Sequence, residues 1–155
     1  MKPKQILLMN ELLTKMVQEV NPDYSVICDG AFYCDVDDMT ISYSRNSKSA
    51  FEQMFADYIY KSYVNVPKVS PFLLSILHEL GHAETEDEMV DDSGAQFAFD
   101  RKENQSNEEF YAGFTKYYQL PNEQLATDWA VWYLKENSDR CVMWDRRIEE
   151  LLDAV

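Results

Sequence analysis

Residues 70–83 read SPFLLSILHELGHA and carry the strongest structural signal in the chain. Serine followed by proline is a common helix start, because serine caps free backbone N–H groups and proline suits the first helical position. Phe72, Leu73, Ile76 and Leu77 then supply apolar side chains that can be buried in a core. The sequence therefore predicts a buried third helix from Pro71 to about residue 83.

Two histidines lie late in this helix, His78 and His82, and the chain has no others. Residues four apart project from one helix face, so both imidazoles can point at one metal ion. Glu79 is rotated by about 100° from His78. Its carboxylate is therefore expected beside the ion, where it can take a proton from metal-bound water. The pattern HELGH predicts a zinc site with hydrolytic chemistry, and a pair of structural histidines is the alternative.

The motif also contains a glycine, Gly81, which costs about 1 kcal/mol inside a helix. A glycine is favoured at such a position when a neighbouring backbone, or the site itself, must approach the helix closely. We therefore expect another element to pack tightly against the motif helix at this point.

A catalytic zinc ion needs a third protein ligand and an open position for water. Without a third histidine, that ligand must be a carboxylate or a cysteine. Glu123 is the best candidate, because Ala126 and Ala130 are small enough to let its predicted helix pack closely on the motif helix. Asp128 is the runner-up ligand, or a partner that orients a ligand histidine. The alternative explanation of Glu123 is the general preference for acidic residues at helix N-termini.

The motif HELGH at residues 78–82, followed by ExxAxxWA at residues 123–130, resembles the ImmA/IrrE family of metallo-endopeptidases, a gluzincin-like group. The resemblance implies a small helical domain with a short sheet beside the active-site helix. It implies Glu79 as the catalytic base, and it implies cleavage of a regulatory protein, often a repressor in mobile elements or stress responses. The zinc ligands that it implies are His78, His82 and Glu123.

The rest of the chain predicts an α+β fold that is mainly helical, a single zincin-like domain over residues 1–155. Apolar residues at helical spacing predict helices over residues 4–20, 50–63, 107–120 and 121–135, and from 138 onward. Alternating apolar residues with turn-like breaks predict a small antiparallel β-hairpin over residues 24–44, beside the active-site helix. Residues 84–92 are predicted to be an acidic, solvated loop, and residues 96–99 fit either a strand or a helical turn.

The chain has a net charge of −14, from 28 acidic and 14 basic residues. This balance argues against nucleic-acid binding, which needs a basic face. It fits a well-solvated surface, a basic partner or a mimic of nucleic acid. The alternatives to a peptidase are therefore a non-catalytic module that zinc holds together, closed by a fourth ligand, and an acidic interaction protein from a mobile element.

Targeting and redox features point to the cytoplasm. Asn10 and Glu11 interrupt the short apolar run near the N-terminus, and no run of eighteen apolar residues exists. We therefore expect neither a signal peptide nor a membrane span. Three cysteines without a CxxC pair, Cys28, Cys34 and Cys141, fit buried thiols in a reducing compartment. A Cys28–Cys34 disulfide across the hairpin is the alternative.

A peptidase acting on a protein or peptide also needs a second electrophile and a way to hold its substrate. Tyrosine is the available residue type for the first task, and Tyr111, Tyr117 and Tyr118 are candidates, although ring packing is the simpler explanation for each. The predicted hairpin can offer an edge strand to an extended substrate by strand addition.

Overall fold

The computed structural model describes residues 1–46, 50–91 and 106–154. Six helices lie in this part of the chain, each close to its predicted bounds: α1 (Pro3–Gln18), α2 (Ala50–Ser62), α3 (Pro71–Glu84), α4 (Asn107–Tyr118), α5 (Pro121–Glu136) and α6 (Ser138–Asp153). Its three strands are β1 (Ser25–Cys28), β2 (Tyr33–Asp35) and β3 (Thr40–Tyr43). The predicted α+β, mainly helical class is confirmed.

The three strands form one mixed sheet in the order β1–β3–β2. β2 and β3 are the antiparallel hairpin, and its turn is tightened by the Asp35 carboxylate, which accepts the N–H groups of Asp37 and Asp38 at 3.1 and 3.0 Å. β1 instead pairs with β3 in parallel. The prediction of a purely antiparallel hairpin over residues 24–44 is therefore right for β2 and β3 and wrong for β1.

The turn-like pair Asp29-Gly30 explains the difference in topology. Gly30 has a φ of 80°, a left-handed conformation that glycine adopts without strain. The chain turns there, but it continues to the far edge of the sheet, which leaves the central position to β3. A turn residue predicts a change of direction, and the neighbour that the next strand will pair with depends on long-range packing.

The motif helix α3 lies in the core between the sheet, α2 and α5. On the sheet side, the Phe72 ring packs edge-on against Tyr43 and Phe32, with ring centroids 5.6 and 5.5 Å apart. At the outer edge of β1, the Val26 N–H donates to the Thr14 hydroxyl of α1 at 3.0 Å. The motif helix, the sheet and α1 thus contribute to one hydrophobic core.

The start of α3 is fixed as the sequence predicts. The Ser70 side chain accepts the Leu73 N–H at 3.2 Å, and Pro71 occupies the first helical position. The Asp145 carboxylate on α6 adds a second anchor, because it accepts both the Ser70 N–H, at 2.9 Å, and the Ser70 hydroxyl. The N-terminus of the motif helix is therefore fixed both by its own Ser70 cap and by the contact with α6.

Several smaller predictions have a definite outcome. All three cysteines are free, and Cys28 and Cys34 lie on the two outer strands, so the alternative of a disulfide is wrong. In the acidic segment, Thr85 is buried, whereas residues 86–91 are exposed and begin with one 3-10 turn, Glu86–Glu88. None of the helices in the described ranges is long and apolar enough to cross a membrane. The prediction for residues 96–99 falls outside the described residues, and the single domain over residues 1–155 stays a prediction.

Candidate metal centre

The centre is built where α3 and α5 touch. A Cβ atom on Gly81 would lie 2.9 Å from the Cα and the carbonyl carbon of Ala126, and it would collide with the carbonyl oxygen. Ala126 and Ala130 are both fully buried in the contact. The glycine in the motif is therefore required by the approach of a neighbouring backbone, as the sequence predicts.

This close approach brings the two histidines of α3 to the carboxylate of α5. The Nε2 atoms of His78 and His82 lie 2.7 and 3.1 Å from the same oxygen, Oε2 of Glu123. One ligand atom from each residue lies within 4.8 Å of the others. His78 and Glu123 are only 4% and 5% exposed, whereas the His82 side chain is 14% exposed, so His82 is the most accessible of the three residues. The three residues can hold a metal ion.

Two further side chains contact the group from outside. The Thr127 hydroxyl lies 3.0 Å from Nδ1 of His78, and the Tyr117 hydroxyl donates to Oε1 of Glu123 at 2.8 Å. Sequence reasoning missed Thr127. Its signal is the position one turn after Glu123, which places it on the same helix face.

Local electrostatics reflect burial and the charges within the group. Burial raises the pKa of the Glu123 carboxyl, but hydrogen bonds from His78 and His82 outweigh it and hold that pKa far below its usual range. Burial raises the pKa of Glu79, and the neighbouring histidines oppose this shift. The Glu123 carboxylate is thus stabilised in its ionised form by the histidines, whereas the Glu79 carboxylate is the more basic of the two.

The donor set fits zinc. Two imidazoles and one carboxylate are the ligands of a common class of catalytic zinc site. A neutral imidazole has one N–H, so if His78 donates from Nδ1 to Thr127, its Nε2 lone pair faces a carboxylate oxygen at 2.7 Å. Such a pair needs a proton or a metal cation to hold it together. Donor atoms around a tetrahedral zinc ion lie about 3.3 Å apart, and the two observed histidine–carboxylate distances, 2.7 and 3.1 Å, are close to that spacing.

The group lies at the wall of a cavity of about 870 Å³. Glu79 lines the same cavity, as do Phe32 and Cys34 from the region of β2. Aromatic rings from α2 and α4 form another wall, where Phe55 stacks on Tyr118 with ring centroids 4.7 Å apart. A volume of this size suits several residues of a peptide or a ligand of comparable size.

Other acidic and tyrosine candidates lie elsewhere. Asp128 is exposed, and it accepts hydrogen bonds from the Tyr63 hydroxyl and, at 2.8 Å, from the Gln124 amide, so its suggested role as a ligand or second partner is wrong. Tyr111 packs under Lys61, whose Nζ lies 5.3 Å from the ring centroid.

Tyr118, the third tyrosine candidate, faces the histidines with its ring. The ring meets that of His78 edge-on, with centroids 5.5 Å apart. Burial raises the Tyr118 pKa well above its usual value, and the charges of Glu123 and Glu79 act in the same direction. Tyr118 therefore stays neutral, and its ring forms part of the cavity wall beside His78.

No protein-family model matches the sequence, and no curated protein or solved structure is significantly similar to it. The resemblance to the ImmA/IrrE family therefore depends on residues 78–82 and 123–130, which the structure brings together around a possible metal site.

Proposed function

We propose that the protein is a zinc-dependent metallopeptidase, related in its active site to the ImmA/IrrE metallo-endopeptidases. A single observation carries the proposal: His78, His82 and Glu123 converge at the wall of a cavity that Glu79 also lines. Two imidazoles and a carboxylate leave a position for water on a four-coordinate zinc ion. A regulatory protein is the substrate class that the family resemblance favours.

The chain's own residues divide the work of peptide hydrolysis. Bound zinc supplies a Lewis acid that acidifies water and polarises a carbonyl group. The Glu79 carboxylate accepts one proton as the water oxygen forms its bond to the peptide carbon. Glu79 then passes that proton to the amide nitrogen as the C–N bond breaks, which yields a carboxylic acid and an amine. His78, His82 and Glu123 hold the ion throughout.

The sheet supports substrate binding beside this group. β2 is an outer strand of the described sheet, and Phe32, Tyr33 and Cys34 line the cavity. An extended segment of substrate can add to such an edge through main-chain hydrogen bonds, while its side chains enter the cavity. We propose this mode for a protein or peptide substrate.

A purely structural zinc site is the main alternative. Structural sites normally have four protein ligands, often with cysteine. Among the described residues the candidate group has three members, and Asp128 is directed to Tyr63. The three-ligand set with Glu79 beside it supports the catalytic proposal over the structural one.

The test compares purified, zinc-loaded wild type with the variants Glu79→Gln and His78→Ala on a library of random-sequence peptides, with cleavage read by mass spectrometry. Glu79→Gln is expected to keep its zinc and to lose at least about a hundredfold in cleavage rate, because a general base is removed. His78→Ala is expected to lose both zinc and cleavage. Cleavage by Glu79→Gln at the wild-type rate would show that the proposed role of Glu79 is wrong.

A further inference from the structure

We infer that Tyr117 is a positioning residue for the metal centre. Its hydroxyl occupies one oxygen of the Glu123 carboxylate and leaves only the other oxygen for the ion. This inference concerns the same site as the proposed function and depends on its metal ligands. It assigns to Tyr117 a role in setting how many positions around the ion the protein fills.

The geometry divides the two carboxylate oxygens between different partners. Oε2 of Glu123 faces both histidines, at 2.7 Å from His78 and 3.1 Å from His82. Oε1 accepts the hydroxyl of Tyr117 at 2.8 Å. Oε2 is therefore available to a metal ion, whereas Oε1 is bound to Tyr117, a residue outside the candidate ligand group.

This division matters because a carboxylate can bind a cation through one oxygen or through both. A second oxygen on the ion would take a position that hydrolytic chemistry needs for water. The hydrogen bond from Tyr117 to Oε1 opposes binding of the ion through both oxygens, because that bond would have to break before Oε1 could reach the ion. Charge-assisted hydrogen bonds to carboxylates are among the stronger ones in proteins.

The local backbone holds Tyr117 in place for this task. Tyr117 lies at the end of α4, and the N–H of Leu120 donates to its carbonyl oxygen at 3.1 Å. The N–H of Gln124 in turn donates to the carbonyl oxygen of Leu120 at 2.8 Å, which starts α5. The link between Tyr117 and Glu123 is therefore short and internally bonded. The hydroxyl reaches the carboxylate without a flexible connection.

The test uses Tyr117→Phe, with Tyr111→Phe as a matched control on the same helix. Both substitutions remove one hydroxyl, but the Tyr111 ring packs under Lys61, away from the carboxylate. Zinc affinity is measured by competition with a chromophoric chelator. Coordination number is read from the visible absorption of the cobalt-substituted protein, whose bands weaken as ligands are added.

Tyr117→Phe is expected to weaken zinc binding about tenfold, the lower end of the effect of an outer contact on a ligand. Its cobalt bands are expected to lose intensity, since the released oxygen can join the ion. Tyr111→Phe should match wild type in both respects. Weaker zinc binding with an unchanged cobalt spectrum would indicate a merely structural role and overturn the inference, as would a variant identical to wild type.

The outcome is separable from that of the proposed function. If wild type binds neither zinc nor cobalt, both the proposed function and this inference fail. If wild type binds metal and Tyr117→Phe behaves as Tyr111→Phe does, only the inference fails. Neither readout needs a substrate or turnover, so loss of cleavage in Glu79→Gln does not affect it.

Discussion

Two carboxylates on the same helix have opposite surroundings. Glu123 is 5% exposed and faces two histidines, whereas Asp128, five residues later, is exposed and bonded to Tyr63 and Gln124. Five positions on a helix correspond to a rotation of about 140°, so the two side chains leave α5 in different directions. The face of the helix, more than the type of residue, decides which carboxylate can become a ligand.

What fixes that face is the contact of α5 with the motif helix. Ala126 lies against Gly81, and Thr127, one turn after Glu123, contacts His78. Because the two backbones meet at this point, α5 cannot rotate without a collision. Glu123 is therefore held toward the histidines by packing more than one residue away from it.

The largest expected effect on stability comes from Gly81→Ala, which adds a methyl group where α3 and α5 touch. The added methyl group meets the Ala126 backbone, which cannot swing aside as a side chain can. Overpacking costs up to about 3 kcal/mol, and the better helix propensity of alanine returns about 1 kcal/mol. The free energy of unfolding, measured by urea denaturation, should fall by about 2 kcal/mol.

Gly113→Ala is the matched control for this change. Gly113 is also within a helix, but an added Cβ atom would meet no atom within 4 Å. Its free energy of unfolding is expected to rise by up to about 1 kcal/mol. Equal effects of the two substitutions would contradict the claim that the contact at Gly81 sets the face of α5.

A smaller effect is expected from Thr127→Val, which keeps the shape of a fully buried side chain and removes its hydroxyl. Nδ1 of His78 then loses its partner at 3.0 Å. The ring is less firmly oriented, so zinc binding should weaken about tenfold. A chelator competition assay measures this change.

Thr127→Ser keeps the hydroxyl and serves as the conservative comparison. It should bind zinc within about threefold of wild type, since the contact with His78 is retained. If Thr127→Val also binds zinc as tightly as wild type, the hydroxyl does not orient the histidine.

Much of the site could be predicted from sequence because it depends on spacing within single helices. His78 and His82 are four residues apart on a helix, and that spacing alone places both on one face. Glu123 could be chosen as the third ligand because Ala126 and Ala130 marked the packed side of its helix. These inferences needed only the helical repeat and side-chain size.

The remainder depends on contacts between elements, which spacing does not determine. The contacts of Thr127 with His78 and of Tyr117 with Glu123 depend on the angle and depth at which α4 and α5 meet α3. The parallel pairing of β1 with β3 likewise depends on packing, because Asp29-Gly30 predicts a turn but not the partner of the strand that follows. Asp128 was the runner-up ligand in the sequence, and its hydrogen bonds with Tyr63 and Gln124 show that its side chain faces elsewhere.

The assignment of Glu123, and not Asp128, as the third metal ligand is tested by the zinc content of three purified proteins after loading and dialysis, measured by elemental analysis. Wild type and Asp128→Asn are expected to retain about one zinc ion per chain, and Glu123→Gln is expected to retain almost none, because a neutral amide is a poor zinc ligand. Zinc retained by Glu123→Gln, zinc lost from Asp128→Asn, or a wild type that binds none would contradict this ligand assignment.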